Sequence, residues 1–139
     1  MIRFVEVALS VMAIVGISAM AQDTVKKTPI PPTSAASGKE MYTNYCAACH
    51  GAVGKGDGPV ATALKVPPTD LTSLASRNNG KFPAAKVRYT LSQGSVAAHG
   101  TSDMPVWGSV LKSVSPGGSN TDVEMRINNL TDNVKSLQK

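Results

Sequence analysis

Residues 46–50 of the 139-residue chain are Cys46-Ala47-Ala48-Cys49-His50, the C-x-x-C-H pattern of covalent haem attachment. Thiols at positions i and i+3 of a helical turn point to one side, so both can add to the two vinyl groups on one edge of a porphyrin. The histidine that follows then lies under the ring, where an imidazole nitrogen can bind the iron. Because the chain has only these two cysteines, the pattern predicts one haem c, held covalently through Cys46 and Cys49.

Three other kinds of site could use the same side chains. A redox-active dithiol typically follows a strand, whereas the residues before Cys46 have a helical pattern. Zinc could be bound by the set Cys46, Cys49, His50 and His99. Zinc ligands usually form two separated pairs, however, and three of these four lie within five positions. A disulfide between the two cysteines would close a very tight loop. We therefore favour haem over the dithiol, zinc and disulfide alternatives.

The first 21 residues have the pattern of a secretory signal peptide. Arg3 supplies a basic start, residues 7–20 form an apolar run broken only by small residues, and residues 19–21 match the A-x-A cleavage pattern. The apolar run is short for a membrane span. We therefore expect residues 1–21 to be removed, so that the mature protein begins at Gln22 in the periplasm. An uncleaved membrane anchor is the alternative.

The net charge of +5 survives this cleavage, because residues 1–21 contain one basic and one acidic side chain. A moderate positive charge suits docking to an acidic patch on a protein redox partner. The basic side chains expected near the haem edge are Lys39, Lys55, Lys65, Lys81, Lys86 and Arg88. No Lys/Arg run or aromatic platform indicates a nucleic-acid partner. Membrane contact is expected only through partners or through an uncleaved N-terminal segment.

The domain is expected to occupy residues 37–139. Residues 22–36 are polar and contain three prolines, which predicts a flexible tether. Ser37 and Glu40 are spaced as a capping box, so a helix should begin there and lead into the cysteine motif. Glycines recur at positions 51, 54, 56 and 58. We interpret them as allowing close approach of the backbone to a flat cofactor.

The remaining patterns are helical, so the predicted fold class is all-α. Asp70 is a predicted helix cap; Pro83 and Gly94 bound a further helix, and residues 95–103 follow as a loop. Residues 121–124 (Thr-Asp-Val-Glu) form a second capping box. Behind it, an apolar stripe repeats at helical spacing: Val123, Ile127, Leu130, Val134 and Leu137. No stretch alternates with a period of two, so no sheet is expected.

In this order the motifs resemble those of class I c-type cytochromes. The residues that carry the resemblance are Cys46-Ala47-Ala48-Cys49-His50-Gly51, Gly56-Asp57-Gly58-Pro59 and Met104-Pro105-Val106-Trp107-Gly108. A capped helix precedes the first motif and another closes the chain, so the resemblance covers the whole domain. It implies a small cytochrome c fold, with helices and long loops wrapped around one haem and with the first and last helices crossing.

The resemblance also implies a role for five residues. Cys46 and Cys49 would form thioethers, and His50 would be the proximal iron ligand. Met104 would be the distal ligand. The Pro59 carbonyl would accept a hydrogen bond from the other nitrogen of His50 and thereby fix the ring and its tautomer.

With both axial positions filled, a substrate cannot readily reach the iron. The implied function is therefore electron transfer between Fe(III) and Fe(II), without catalysis. The family suggests a dehydrogenase or respiratory complex as donor and an oxidase or reductase as acceptor. The alternative is a haem enzyme or gas-sensing domain with a labile sixth ligand. The rival of Met104 at that position is His99, the only other histidine, and two histidine ligands would give a lower potential.

Overall fold

Short helices and tight turns make up the part of the chain that the structure describes. The structure is a computed structural model and covers residues 29–94 and 104–139. Within these ranges it contains no strand, which confirms the all-α prediction. The α-helices there are α1 Gly38–Met41, α2 Ala47–His50, α3 Ala84–Gln93, α4 Trp107–Val114 and α5 Asn120–Ser136. The predicted signal segment 1–21, residues 22–28 and the predicted loop 95–103, with His99, lie outside the described residues.

One helical run leads from residue 38 into the cysteine motif, because a π-helical segment, Tyr42–Cys46, joins α1 to α2. The run begins at the predicted capping residue. The backbone N–H of Glu40 donates to Ser37 Oγ at 3.1 Å, which satisfies one of the free donors of the first turn. The π-helical turn buries Tyr42 and Tyr45, and such turns are frequent at functional sites.

The first and last helices cross at Gly38, as the resemblance implied. A Cβ atom at Gly38 would lie 2.0 Å from the carbonyl oxygen of Asn129 in α5, so only glycine allows the two backbones to come this close. Met41 and Leu130 are both fully buried in the core that contains this crossing.

The apolar stripe of α5 faces the core, as predicted. Ile127, Leu130 and Val134 are buried, and the two outer members of the stripe are packed against the same cluster. The helix begins two residues earlier than predicted, however, because its cap is Ser119. The side chain of Ser119 accepts a hydrogen bond from the Asp122 N–H at 3.4 Å.

Helix α4 was not predicted from the sequence. It buries Trp107 and Leu111. Its second residue, Gly108, lies against α3, where an added Cβ atom would be 2.4 Å from the carbonyl oxygen of Ser92. Helices α3, α4 and α5 contact one another and complete the core that α1 begins.

The connection between α2 and α3 consists of loops and short 3-10 turns at Ala61–Ala63, Leu71–Ser73 and Ser76–Asn78. Asp70 caps the second of these turns by accepting a hydrogen bond from the Thr72 N–H at 2.8 Å. The predicted helix there is therefore a single 3-10 turn. Among the described residues, no helix is long and apolar enough to cross a membrane.

The predicted tether does not extend to residue 36. Residues 31–35, which we call the N-terminal strap, are bound to the helices. Tyr45 Oη donates to the Pro31 carbonyl at 2.8 Å, Arg126 donates to the Thr33 carbonyl at 3.0 Å, and Asn129 donates to the Ala35 carbonyl at 2.8 Å. Composition alone predicted a flexible segment because two of its partners, Arg126 and Asn129, are more than ninety residues away in the sequence, on α5. The ordered domain thus begins before residue 37.

Candidate functional site

A cavity of about 530 Å³ lies between helices α2 to α5 and the connection before α3. Cofactor sites in proteins typically have volumes of about 300–1,000 Å³. Cys46, Cys49, His50 and Met104 all line this cavity, so the structure brings together four of the five predicted site residues. Its wall is largely apolar and includes Leu64, Val66, Leu71, Leu74, Val87, Leu91, Trp107, Leu130 and Val134.

The two cysteines lie at the end of the π-helical segment and in α2. Burial, together with the nearby Cys49, raises the pKa of the Cys46 thiol to about 12. A reactive dithiol needs the opposite environment, because its attacking cysteine must be a thiolate near neutral pH. The surroundings of Cys46 therefore argue against a redox-active dithiol.

His50 is oriented by the backbone of the connection that follows it. Its Nδ1 atom lies 3.0 Å from the carbonyl oxygen of Thr69. A carbonyl can only accept, so Nδ1 carries the proton and Nε2 keeps a free lone pair. Burial lowers the pKa of His50, which further favours the neutral ring. A neutral imidazole with Nε2 free is the form that binds iron.

The expectation for Pro59 is wrong, because the carbonyl beside His50 belongs to Thr69. Pro59 is exposed and does not line the cavity. After Gly58 the chain stays close to α2, where the Val60 N–H donates to the Ala48 carbonyl at 3.1 Å. Only after the 3-10 turn at Ala61–Ala63 does it return past the histidine, along Pro67-Pro68-Thr69.

The glycines after His50 do not line the cavity, which corrects the prediction that they let the backbone approach a cofactor. They shape the path of the backbone instead. Gly51 ends α2 with a φ of 80°, a conformation that favours glycine. Gly56 also has a positive φ, and a Cβ atom there would lie 2.4 Å from the carbonyl oxygen of Pro68. These glycines therefore fold the connection tightly enough to bring Thr69 to His50.

Met104 lies three residues before Trp107, the first residue of α4. It is half-buried, lines the cavity and packs against the core cluster. Trp107 stacks on Tyr45, with the ring centroids 5.7 Å apart and the planes inclined by 21°. This contact joins the start of α4 to the residue that directly precedes Cys46.

Lys86 was among the basic side chains expected near the haem edge, but Arg77 and Asn78 were not expected at the cavity. Arg77, Asn78 and Lys86 line it and are exposed to solvent. Arg77 donates to the Asp70 carbonyl at 2.7 Å, so its guanidinium is partly fixed. Neither spacing nor composition indicated the position of Arg77 and Asn78, because their 3-10 turn lies in an irregular connection and only the fold brings it to the cavity.

The side chains that could act as ligands show which cofactor would fit this site. Within residues 29–94 and 104–139, no cluster of three or more histidine, cysteine or acidic side chains is arranged to hold a metal ion by itself. One imidazole and one thioether suit the two axial positions of an iron whose other ligands come from a porphyrin. Two thiols beside the imidazole are the attachment points of haem c. The residues present therefore fit a covalently bound haem.

A comparison with protein-family models agrees with this interpretation. The model described as "Cytochrome C oxidase, cbb3-type, subunit III" matches residues 33–115. The matched region begins in the N-terminal strap, includes Cys46, His50 and Met104, and ends at the residue after α4. No curated protein and no solved structure matched the sequence. Since the model covers more than half of the chain, the protein belongs to the family of the cbb3-type cytochrome c oxidase subunit III, a family of c-type cytochromes.

Proposed function

We propose that this protein is a periplasmic carrier of single electrons, with one haem attached through Cys46 and Cys49. Membership of a c-type cytochrome family supports covalently bound haem and haem-based electron transfer. The observation that carries the finer proposal is that both thiols, His50 and Met104 line one apolar cavity.

The axial ligands in this proposal are Nε2 of His50 and the sulfur of Met104. When bound, the haem supplies a one-electron couple between Fe(III) and Fe(II). Thr69 holds the imidazole in the tautomer that leaves Nε2 free. The thioether of Met104 favours Fe(II) and so raises the potential. With both positions filled the iron offers no open site, which is why we propose a carrier and not an enzyme.

The proposed partners are proteins with acidic docking patches. Lys86 and Arg77 are exposed at the cavity, and Val66, which also lines it, is 45% exposed. An apolar contact flanked by cations suits brief docking to an acidic surface. The other members of the predicted rim are exposed too: Lys39, Lys55, Lys65, Lys81 and Arg88.

The donor in this proposal is a dehydrogenase or respiratory complex, and the acceptor is an oxidase or reductase. The family description, which names a subunit of a cytochrome c oxidase, supports an oxidase as the acceptor. The periplasmic location rests on the signal-peptide pattern of residues 1–21.

The ligand assignment can be tested by substituting Met104. Iron–thioether bonding gives the oxidised protein a weak absorption band at the near-infrared edge. Met104→Ala should abolish this band and allow the reduced protein to bind carbon monoxide. Met125→Ala is the matched control, because Met125 is a methionine that is 43% exposed on α5 and does not line the cavity.

Two results would contradict the assignment. If Met104→Ala leaves the spectrum unchanged while His99→Ala alters it, the sixth ligand is His99. If the reduced wild-type protein binds carbon monoxide readily, the sixth position is open. The alternative of a haem enzyme or gas-sensing domain would then replace the electron carrier.

A further inference from the structure

A chain of buried hydrogen bonds connects α5 to the residue before the cysteine motif. Arg126, which is 4% exposed, donates through Nη1 to the carbonyl of Thr33 at 3.0 Å and to its Oγ1 at 3.2 Å. Thr33 Oγ1 lies 2.8 Å from Tyr45 Oη, which donates to the Pro31 carbonyl, also at 2.8 Å. Asp122 holds the guanidinium from the other side, with its Oδ2 2.7 Å from Nε.

The direction of these bonds follows from the groups involved. The Pro31 carbonyl has no proton to give, so the single hydroxyl proton of Tyr45 goes to it. Thr33 must therefore donate to Tyr45, and it accepts from Arg126, which has no acceptor capacity. Each of these hydrogen bonds has both a donor and an acceptor only in this one arrangement. The strap thereby fixes the position of the Tyr45 hydroxyl.

The ring of Tyr45 links the strap to the start of α4. It stacks on Trp107 with a centroid separation of 5.7 Å, and both side chains are at least nine-tenths buried. Tyr45 directly precedes Cys46, and Trp107 follows Met104 by three residues. A stacked pair that is buried and nearly parallel leaves little freedom for the start of α4.

We propose that the N-terminal strap, acting through Thr33, Tyr45 and Trp107, is a positioning element that holds Met104 at the sixth coordination site. This inference rests on the proposed ligation by Met104. The strap contacts no ligand itself. The strap fixes Tyr45, and Trp107 stacks on Tyr45 when α4 begins in the described position, so the stack opposes a movement of α4 that would take Met104 away from the iron.

The test uses the intact haem-loaded protein and two matched substitutions. Thr33→Val removes the hydroxyl that links Arg126 to Tyr45. Thr131→Val removes a hydroxyl that is buried to 1% exposure and donates to the Ile127 carbonyl at 2.7 Å within its own helix. Both variants lose a buried hydroxyl, but only the first interrupts the chain to Tyr45. Tyr45→Phe gives a second interruption and keeps the aromatic stack.

The measured quantity is the binding of free imidazole to the oxidised protein, which displaces Met104. A buried hydrogen bond has a net contribution that corresponds to about a fivefold change in an equilibrium constant. Thr33→Val and Tyr45→Phe should therefore each raise the apparent imidazole affinity about fivefold. Thr131→Val should leave the affinity at the wild-type value. The denaturant midpoints of Thr33→Val and Thr131→Val should fall by similar amounts.

Equal imidazole affinities in Thr33→Val and Thr131→Val would overturn the proposal, whether both rise or neither does, because the strap would then contribute only to general stability. A different result would overturn the ligation on which it rests. If the wild-type protein lacks the near-infrared-edge band and binds imidazole without displacing a thioether, Met104 is not the ligand. The presence or absence of that band in the wild-type protein distinguishes the two failures.

Discussion

Replacing Gly38 by alanine tests the crossing of α1 and α5. In an ordinary helix this change is stabilising, because glycine costs up to about 1 kcal/mol relative to alanine. Here an added Cβ atom would lie 2.0 Å from the Asn129 carbonyl oxygen, 2.7 Å from its carbon and 3.1 Å from the Asn133 Cβ. The first two contacts are with backbone, so the new methyl group can be accommodated only if the helices separate.

The two effects have opposite signs, and their sizes decide the outcome. Overpacking a tight contact costs about 1–3 kcal/mol, and a clash with backbone falls at the upper end of that range. Subtracting the gain in helix propensity leaves a loss of about 2 kcal/mol in the free energy of unfolding. For a domain of this size the melting temperature should fall by about 10 °C.

The assay is thermal and denaturant unfolding of the haem-loaded protein, followed by circular dichroism. Lys39→Ala is the control, because Lys39 is the exposed neighbour in the same helical turn. It should change the stability by less than about 0.5 kcal/mol. A Gly38→Ala protein that is as stable as the wild type, or more stable, would refute the close crossing of the two helices.

Three further predictions concern pH, fluorescence and salt. Burial is the largest cause that raises the pKa of Tyr42 from 10.0 to about 12, so the folded protein retains a proton that the unfolded chain releases. The stabilisation that this proton contributes is complete below pH 10 and is lost as the pH rises towards 12. The free energy of unfolding of the wild-type protein should therefore fall more steeply over this range than that of Tyr42→Phe, and parallel curves would contradict this. Trp107 is the only tryptophan and lines the cavity, so haem should quench its fluorescence and denaturant should restore it; a bright native protein would contradict this. Electron-transfer rates with the natural partner should fall as the Debye length shortens from about 30 Å to about 8 Å, and rates that ignore ionic strength would exclude the basic rim.

Local patterns in the sequence predicted most of the helices. The cap at Ser37, the apolar stripe of α5 and the segment between Pro83 and Gly94 all depend on side chains within a few positions of one another. Such signals can be read from a short window. The α4 helix was missed because its core-facing pair, Trp107 and Leu111, gives only one repeat of the helical period.

The donor residues of the site were predicted from the sequence, but the groups that position them were missed. Cys46, Cys49 and His50 lie within five positions of the sequence, and they do line one cavity with Met104. The partner of His50 is 19 residues away, and the choice between Pro59 and Thr69 depends on the path of a glycine-rich connection. No periodic signal encodes that path.

The N-terminal strap shows the same limit at longer range. Its prolines and polar residues predicted a flexible tether. Two of the groups that bind it, Arg126 and Asn129, lie more than ninety residues later. A sequence pattern can indicate that a segment lacks its own helix, but it cannot show that a distant arginine satisfies its carbonyls.

The central claim is that one haem is bound covalently through Cys46 and Cys49, and the mass of the mature protein tests it most directly. Protein matured in a periplasm that is competent for haem attachment should have the mass of the chain from Gln22 plus one haem. Replacing either cysteine by alanine should leave one thioether and lower the yield, and His50→Ala should lower it further. An unmodified mass for the wild-type chain after such maturation would contradict the account.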